Sequence, residues 1–296
     1  MTVTVLGATG KTGGTVTERL LAAGVKVKVV GRAREKLAAL EKRGAQAVVA
    51  DVADAAALTE ALRGSDAAYL MIPGDYTKPD MVGQYARAAE AITTAVRDAG
   101  VPRAVFLSSL GADLAAGTGP IVGLHGAEQR LRGISGLALL ILRPAYFYEN
   151  NYGTLALIKH QGINGGAIEP TVAMPTIGAA DIGEVAAEAL RKSDFSGSAV
   201  RELRGPRDLT MAEATSLLGK AIGKPDLPYV RFPDEGYVQG LTSAGFHPDA
   251  ARAFLQMAQA FNAGLIQSRP EAEKIRTKTS FEAFADTFAQ AYRAAP

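Results

Sequence analysis

Three glycines at a spacing of three residues form the part of this sequence whose residue types best suit phosphate binding. Gly7, Gly10 and Gly13 follow residues 3–6, which are β-branched or apolar, and precede an apolar pattern of helical period at residues 16–23. Glycine lets the backbone adopt conformations closed to other residues and lets main-chain N–H groups approach a ligand, and a helix N-terminus adds a partial positive charge. The pattern predicts a strand, a tight turn and a helix that bind a diphosphate.

The same turn has two other interpretations. Gly10, Lys11 and Thr12 imitate the end of a nucleoside-triphosphate P-loop, but a P-loop needs a glycine five residues before Gly10, where Val5 stands. A turn without a ligand would not need three glycines, because each glycine loses much conformational entropy on folding. The spacing differs by one residue from the common G-x-G-x-x-G dinucleotide fingerprint.

Cations stand at the end of the second predicted strand, where an NAD-binding protein carries an acid. Arg32, Arg34 and Lys36 lie there, and residues 19–34 contain no acidic residue. A guanidinium can hold a 2′-phosphate with two hydrogen bonds, whereas a carboxylate would bind the ribose hydroxyls of NAD. The pattern favours NADP(H). The alternative is a solvated helix start, although cations there oppose the helix dipole.

Asp51 and the adjacent Val52 follow the third predicted strand, at the place where the adenine of a cofactor would lie. Asp51 could accept a hydrogen bond from the adenine amino group. It could equally be a capping residue, as Asp54 is expected to be for the next helix. Both roles stay open on the sequence alone.

Apolar strands alternate with helices through the first half of the chain and would position these residues. Strands are predicted at residues 3–6, 26–31, 47–51, 67–72, 103–109 and 137–142, and helices at 16–23, 35–42, 55–62 and 79–99. Strands that are apolar on both faces and alternate with helices indicate a parallel sheet covered on both sides, with ligands outside its carboxyl ends. The sequence predicts an α/β fold with a doubly wound parallel (Rossmann) sheet over residues 1–145.

The regularity weakens beyond Arg143, which predicts a smaller C-terminal substrate-binding subdomain. Gly, Pro and Asn are scattered through residues 150–175, and a helix is predicted at 181–191. We expect about 176–205 to return to the nucleotide-binding domain, and the rest of 146–296 to form an α/β substrate or lid subdomain. The loop at residues 75–78 is a second candidate lid.

An aromatic stripe marks the end of the chain. Phe281, Phe284, Phe288 and Tyr292 fall at helical spacing, which predicts core packing, with a dimer face as the alternative. Thr210 precedes another helical pattern and is the expected N-cap.

Composition excludes several classes of function. The chain has 296 residues, 48% hydrophobic and 21% charged, so it can bury a large core. It has no cysteine, which excludes disulfides, thiolate metal ligands and cysteine nucleophiles. His125, His160 and His247 are far apart in sequence, so no metal site is expected.

The balance of charge and hydropathy points to a small-molecule partner. A net charge of +2 without a long basic run gives no electrostatic footprint for nucleic acid. The longest purely aliphatic run, residues 137–142, is too short to span a bilayer, and the N-terminus enters a strand without a signal peptide. We expect a cytoplasmic protein, monomeric or homodimeric, that does not bind membranes.

Several motifs together resemble the NmrA-like, atypical branch of the short-chain dehydrogenases/reductases. They are Gly7-Ala8-Thr9-Gly10 with Gly13, Val30-Gly31-Arg32, Leu107-Ser108-Ser109, residues 142–150 with the sequence LRPAYFYEN, Ala180-Asp181-Ile182-Gly183 and Leu209-Thr210. Members of this family include NADPH-dependent quinone reductases, a triarylmethane-dye reductase and redox-sensing regulators that bind dinucleotide without turning it over.

The resemblance implies roles for residues at five strand ends. It places the diphosphate on Gly7, Thr9, Gly10, Lys11, Thr12 and Gly13, and the 2′-phosphate on Arg32, with Lys36 nearby. It places the nicotinamide half along Ile72, Pro73, Gly74, Ser108, Ser109 and Leu110. It implies that Pro144, Ala145, Tyr146 and Phe147 close over that half.

The chain departs from the ordinary short-chain dehydrogenases at the catalytic position. Those enzymes use a tyrosine four residues before a lysine, and residues 103–144 contain neither residue type. His125 stands where many NmrA-like relatives carry a lysine. It is expected to hold the nicotinamide ribose or to protonate the product, with Ser109 and Tyr146 as other proton donors. The alternative for His125 is a packing or solvent-facing role.

The function expected from the resemblance is NADPH-dependent hydride transfer to a quinone-, enone- or dye-like acceptor. Such acceptors delocalise the incoming charge and need no strong general acid, which agrees with the missing tyrosine. The alternative is a non-catalytic NADP(H)-sensing regulator of the NmrA type that acts through protein partners. Isomerase or epimerase chemistry with bound cofactor is a third possibility.

Overall fold

The computed structural model describes residues 1–270 and 272–295, whose largest element is a sheet of eight parallel strands. The strands are β1 (Thr2–Leu6), β2 (Lys26–Gly31), β3 (Gln46–Val49), β4 (Ala67–Leu70), β5 (Arg103–Leu107), β6 (Ala138–Pro144), β7 (Tyr146–Phe147), β8 (Asn164–Gly166), β9 (Met174–Ile177), β10 (Ser198–Arg204), β11 (Asp208–Leu209), β12 (Tyr229–Arg231) and β13 (Glu273–Arg276). The helices are α1 (Lys11–Ala22), α2 (Arg34–Glu41), α3 (Ala55–Leu62), α4 (Met81–Asp98), α5 (Ile121–Arg132), α6 (Leu155–Gln161), α7 (Ala179–Lys192), α8 (Met211–Ala221), α9 (Asp234–Ser243), α10 (Pro248–Asn262) and α11 (Phe281–Ala294). A 3₁₀ helix covers Tyr148–Thr154.

The chain order of the large sheet reverses at β1. The strands lie in the order β13, β10, β6, β5, β4, β1, β2, β3, and each neighbouring pair is parallel. Val3 of β1 pairs with Val27 of β2 on one side and with Ala67 of β4 on the other. Ligands of doubly wound sheets bind outside the carboxyl ends of the strands at such a reversal. The predicted Rossmann-type sheet is confirmed.

Helices cover both faces of this sheet because its strands are apolar on both faces. Tyr69 and Val105 pack on the side of α1, α2 and α7, whereas the adjacent Leu70 and Phe106 pack with α3, α4 and α5. This alternation follows from the two-residue period of a strand. The helices α1 and α7 are so close that a side chain at Gly183 would overlap α1.

The second half of the chain forms a smaller region and also returns to the large sheet. Two small sheets are present in the described residues, β11–β9–β7 and β12–β8. The strands β10 and β13 join the large sheet instead. The sequence analysis did not predict β13, because this edge strand is mostly charged, as exposed sheet edges often are. The domain boundary after residue 145 stays a prediction.

Several element bounds differ from the predicted ones by a few residues. Three strands end earlier than predicted, β3 at residue 49, β4 at 70 and β5 at 107, whereas β6 extends to residue 144. The chain leaves the sheet at the carboxyl ends of these strands. The Ser108 N–H, one residue beyond β5, still donates to the Leu142 carbonyl oxygen at 2.8 Å. The helix α4 begins at Met81 rather than at residue 79, because Asp80 caps it by accepting from the Gly83 N–H at 3.0 Å.

The predicted cap and the aromatic stripe are confirmed. Thr210 and Glu213 form a reciprocal capping box at the start of α8. Phe281, Phe284 and Phe288 are buried between α11 and its neighbours, so the stripe packs into the core rather than forming a dimer face.

No helix within the described residues combines the length and the apolar character that a bilayer crossing requires. The described residues also bring no three carboxylate or histidine side chains into an arrangement that could hold a metal ion. His125 lies on α5 and His160 on α6, while His247 caps α10.

Candidate cofactor and acceptor site

The glycine turn between β1 and α1 has the backbone geometry of an anion-binding site. Gly7 has a φ of +65°, and the Gly10 N–H donates to the Gly7 carbonyl oxygen at 2.9 Å. A side chain at Gly13 would overlap that carbonyl, so Gly13 lets α1 pack against the turn. At Gly10 a Cβ would meet only this oxygen, at 3.2 Å. The fold therefore needs Gly7 and Gly13, whereas Gly10 leaves space for a ligand.

The helix α1 begins without a side-chain cap. Gly10 occupies the N-cap position, and no acidic residue lies in the first turn. The first N–H groups of a helix have no partner within the helix, and together with the helix dipole they attract anions. Thr9 is exposed beside this helix start, and Thr12 is buried in its first turn. The helix start fits the diphosphate of a dinucleotide.

Lys11 contacts the 3₁₀ helix at the start of the second half of the chain. Its ammonium lies 3.8 Å from the ring centre of Tyr152. Burial lowers the pKa of Lys11, and the nearby Glu149 carboxylate opposes this shift. Glu149 accepts hydrogen bonds from the Ala179 N–H at the start of α7, at 3.0 and 3.1 Å, and burial raises the pKa of Glu149. The predicted contact of Lys11 with a diphosphate stays a prediction.

The cations after β2 are exposed at the same edge of the sheet. Arg32 and Lys36 are both exposed, and Arg34 pairs with Glu41 at 2.9 Å. Their position at the carboxyl end of β2, beside the glycine turn after β1, is the position expected for binding the adenosine half of a dinucleotide. The assignment of the 2′-phosphate to Arg32 stays a prediction.

The end of β3 shows a local role for each aspartate. Asp51 accepts a hydrogen bond from the Ala53 N–H at 2.9 Å. Asp54 accepts from the Ala57 N–H at 3.0 Å and caps α3, as predicted. Asp51 therefore stabilises its own turn, and an additional contact of Asp51 and Val52 with adenine stays a prediction.

A cavity of about 220 Å³ opens at the carboxyl ends of β4, β5 and β6. The residues predicted from the sequence that line it are Ile72, Ser108, Ser109, Leu110, Pro144, Ala145, Tyr146 and Phe147. Pro73 and Gly74 follow Ile72 but do not line it. Met71 lines the cavity and also packs on the glycine turn, because a Cβ on Gly7 would lie 2.7 Å from its sulfur. The cavity therefore adjoins the turn that fits the diphosphate.

The opposite wall of the cavity comes from helices that the sequence analysis did not assign to the site. Phe254, Met257 and Phe261 lie on α10, while Ile121 and Leu124 lie on α5. Apolar residues spaced three to four apart indicate a buried helix face, but the spacing does not say what that face covers. The aromatic residues of α10 can be assigned to the cavity only from the position of this helix in the structure.

Few polar groups face the cavity. The Ser109 hydroxyl donates to the Leu110 carbonyl at 3.0 Å. Burial raises the pKa of Tyr146, and a hydrogen bond with the Asn150 side chain partly offsets this shift. The ring of Tyr146 also packs edge-on against Phe261, with ring centres 5.8 Å apart. Tyr146 is thus fixed in place with a hydroxyl that stays protonated at neutral pH.

A buried ion pair that the sequence analysis missed lies behind Ser108. The Ser108 hydroxyl donates to the Glu128 carboxylate at 2.5 Å. The same carboxylate accepts from Arg143 twice, from Nε at 2.9 Å and from Nη2 at 2.5 Å. Glu128 is fully buried and Arg143 nearly so. The pair joins α5 to β6 and holds the Ser108 side chain. Glu128 and Arg143 are 15 residues apart in sequence, and this spacing does not predict that they pair.

His125 is half-buried on α5, next to Leu124. Its Nδ1 lies 2.9 Å from the Ala112 carbonyl oxygen. A carbonyl only accepts, so Nδ1 carries the proton, and in the neutral ring Nε2 has none to give. Leu124 lines the cavity and His125 does not. The catalytic or ribose-binding role of His125 stays a prediction.

Comparison with known proteins gives matches over nearly the whole chain. A (4-alkanoyl-5-oxo-2,5-dihydrofuran-3-yl)methyl phosphate reductase of Streptomyces griseus is 30% identical, over 87% of this chain and 86% of that protein. Quinone oxidoreductase 2 of Escherichia coli is 29% identical, over 83% of each. The crystal structure of the triphenylmethane reductase of Citrobacter sp. has the same fold, with a TM-score of 0.81 at 19% identity, covering 98% of this chain and 100% of that one.

A family model described as NAD(P)H-binding matches residues 7–193. The match begins at the first glycine of the turn and ends after α7, so it includes the helix start that fits a diphosphate, and Ser108, Ser109 and Tyr146 of the cavity. The predicted NAD(P)H cofactor is confirmed by this match. The chain therefore belongs to the NAD(P)H-binding family, in the NmrA-like, atypical branch of the short-chain dehydrogenases/reductases.

Proposed function

We propose that this chain is an NADPH-dependent reductase that transfers hydride to a quinone-, enone- or dye-like acceptor. The observation that carries the proposal is that an apolar, aromatic cavity adjoins the turn that fits the diphosphate, with Met71 shared between them. A dinucleotide that extends from the turn along β4 and β5 would reach this cavity. The cavity would then hold an acceptor next to the nicotinamide.

The bound cofactor and the residues of the cavity would have different roles in the reaction. NADPH, when bound, supplies a hydride, so that with one further proton a quinone becomes a hydroquinone and NADP⁺ remains. The chain has to orient a flat acceptor, exclude water and deliver that proton. Phe254 and Phe261 supply flat apolar walls, and the Tyr146 hydroxyl is the protein group that we propose as proton donor.

The relatives support this class of reaction. The Streptomyces protein is named as a reductase of a dihydrofuran phosphate, the Escherichia coli protein as a quinone oxidoreductase and the Citrobacter protein as a triphenylmethane reductase. Each name describes reduction of a conjugated small molecule. A conjugated acceptor spreads the incoming negative charge, so a site without a strong acid suffices.

The test is turnover of NADPH with a panel of quinones, enones and triarylmethane dyes. We expect the absorbance of the reduced nicotinamide to fall only when protein, NADPH and acceptor are all present. Gly10→Val is the matched control, because it is designed to lose the dinucleotide while keeping the turn. Tight NADPH binding without turnover of any acceptor would contradict the proposal and favour the NADP(H)-sensing regulator.

A further inference from the structure

The walls of the acceptor cavity carry no formal charge. Among the described residues, the lining side chains are aliphatic, thioether, aromatic, hydroxyl or amide groups, without an aspartate, glutamate, lysine, arginine or histidine. Of the polar groups, the Ser108 hydroxyl is already bound to Glu128, and that of Ser109 to the Leu110 carbonyl. A ligand therefore meets the hydroxyls of tyrosines and the amide of Asn150, but no ion.

Three cations that lie on, or pair with, segments carrying cavity residues are each bound to a carboxylate of the protein. Arg143 precedes the cavity residue Pro144, and Glu128 neutralises it with two hydrogen bonds. Arg269 pairs with Asp113 on the loop after β5. In the loop that carries the cavity residue Tyr76, Lys78 pairs with Asp75 at 3.1 Å. An anionic ligand could recruit one of these cations only by leaving a carboxylate unpaired.

We infer that the acceptor of this site carries no anionic group, so that phosphorylated and sulfonated acceptors are rejected. This inference rests on the reductase function proposed above. Transfer of an unpaired anion from water to an apolar cavity is unfavourable, whereas an uncharged ring gains from burial against Phe254 and Phe261. The site therefore differs in substrate class from the Streptomyces relative, which is named for a phosphate ester.

Equilibrium binding of two probes that differ in charge tests the inference directly. The probes are 2-naphthol and naphthalene-2-sulfonate, titrated by calorimetry into the protein saturated with NADPH, whose reduced nicotinamide ring carries no positive charge. We expect 2-naphthol to bind about ten- to a hundredfold more tightly, the range that unpaired polar burial gives. Equal affinities, or tighter binding of the sulfonate, would overturn the inference. Binding is the primary measurement, because a sulfonate also changes the reactivity of a quinone.

A variant with a cation in the wall tests the cause of the selectivity. Met257 lines the cavity from α10 and is only half-buried, so a lysine there can keep its ammonium partly hydrated. We expect Met257→Lys to bind naphthalene-2-sulfonate at least about tenfold more tightly than the neutral control Met257→Gln. Far-UV circular dichroism and NADP⁺ affinity show whether both variants keep the fold. Folded variants with equal sulfonate affinity would contradict the electrostatic explanation.

Turnover separates this inference from the proposed function. With NADPH, we expect 1,4-naphthoquinone to be reduced with a kcat/KM at least about tenfold above that of its 2-sulfonate. Equal reduction of both quinones would overturn the inference and leave the reductase function standing. Selective binding of 2-naphthol without reduction of either quinone, or of any other acceptor in the panel, would support the uncharged cavity and overturn the reductase function.

Discussion

At the residue scale, the three glycines of the turn have different roles. Gly7 adopts a positive φ, which favours glycine, and Gly13 has no room for a side chain beside the Gly7 carbonyl. A side chain at Gly10 would meet only one oxygen, at 3.2 Å. We expect Gly10→Val to keep the fold and lose NADPH and NADH together, because the valine occupies the place of the diphosphate. Calorimetry measures the loss, and circular dichroism checks the fold.

Gly13→Val is the matched comparison for that substitution. Its side chain would overlap backbone, so we expect it to destabilise the turn itself and to lower the thermal midpoint well below that of Gly10→Val. Similar destabilisation by both variants would show that Gly10 is also needed by the fold, and would remove the argument that its space belongs to a ligand.

The choice between NADP and NAD is a second prediction at this scale. Arg32 is exposed at the end of β2, where a carboxylate would select NAD. We expect NADPH to bind roughly ten- to a hundredfold more tightly than NADH, since a charge-assisted hydrogen bond contributes about 1.5–3 kcal/mol. Arg32→Ala should weaken NADPH binding and leave NADH almost unchanged. Equal calorimetric affinities in the unmodified protein would contradict this assignment.

The proton donor is a third prediction. Tyr146 lines the cavity, whereas neutral His125 has its proton on the nitrogen that faces Ala112. We expect Tyr146→Phe to lower kcat about a hundredfold, the low end of general-acid effects, with NADPH affinity unchanged. Burial raises the pKa of Tyr146, so its hydroxyl stays protonated from acid through neutral pH. The kcat of the parent should then be nearly independent of pH between about pH 5 and 8.

His125→Gln and His125→Lys test the rival donor. If the imidazolium gives the proton, activity falls as pH rises through neutrality, and His125→Gln removes that dependence. If His125 only holds the nicotinamide ribose, His125→Lys keeps the activity. A parent profile that is flat near neutrality and unaffected by His125→Gln would assign the proton to Tyr146, Ser109 or water.

At the element scale, the buried ion pair fixes the position of α5 relative to β6. Glu128 and Arg143 are buried together, and Ser108 shares the carboxylate. We expect Glu128→Leu to lower the free energy of unfolding by about 3–5 kcal/mol, because it leaves the Arg143 guanidinium buried without its main partner. Urea titration of parent and variant measures the difference.

A double variant separates the contribution of the ion pair to the free energy of unfolding from the cost of leaving one buried charge unpaired. Glu128→Leu combined with Arg143→Met removes both charges and fills similar volume, so we expect it to be more stable than Glu128→Leu alone. A double variant as unstable as the sum of both single variants would show that the two residues stabilise the protein independently. Ser108→Ala, which only removes the third partner, should cost about 1 kcal/mol.

At the scale of the whole molecule, cofactor binding and folding are linked. A ligand that binds only the folded chain stabilises it, and at a concentration of a hundred times its Kd the gain is about 2.7 kcal/mol. For a chain of this length we expect NADPH to raise the thermal midpoint by about 4 °C, and equimolar NADH by less. Differential scanning calorimetry measures both shifts. A shift of equal size in Gly10→Val would place the stabilising ligand elsewhere.

The features of this protein that depend on local pattern could be predicted from its residues alone. Alternating apolar strands and helices predict the parallel sheet, and Thr210 and Asp54 predict helix starts. Helix capping and hydrophobic periodicity both depend on residues that are only a few positions apart. The glycine spacing predicts the anion-binding turn for the same reason. The class of cofactor, a nicotinamide dinucleotide, was therefore readable from the turn, while the role of Arg32 and the contacts of the other residues with NADP(H) stay predictions.

Only the tertiary structure decided what meets at the carboxyl edge of the sheet. Phe254 and Phe261 reach the cavity because α10 lies across it from the ends of β5 and β6, and Glu128 meets Arg143 because α5 packs against β6. Each contact joins residues from different elements, and no periodicity specifies such distances. Among the described residues, the absence of charged side chains from the cavity walls follows from how these elements pack, and the acceptor class that we infer rests on it.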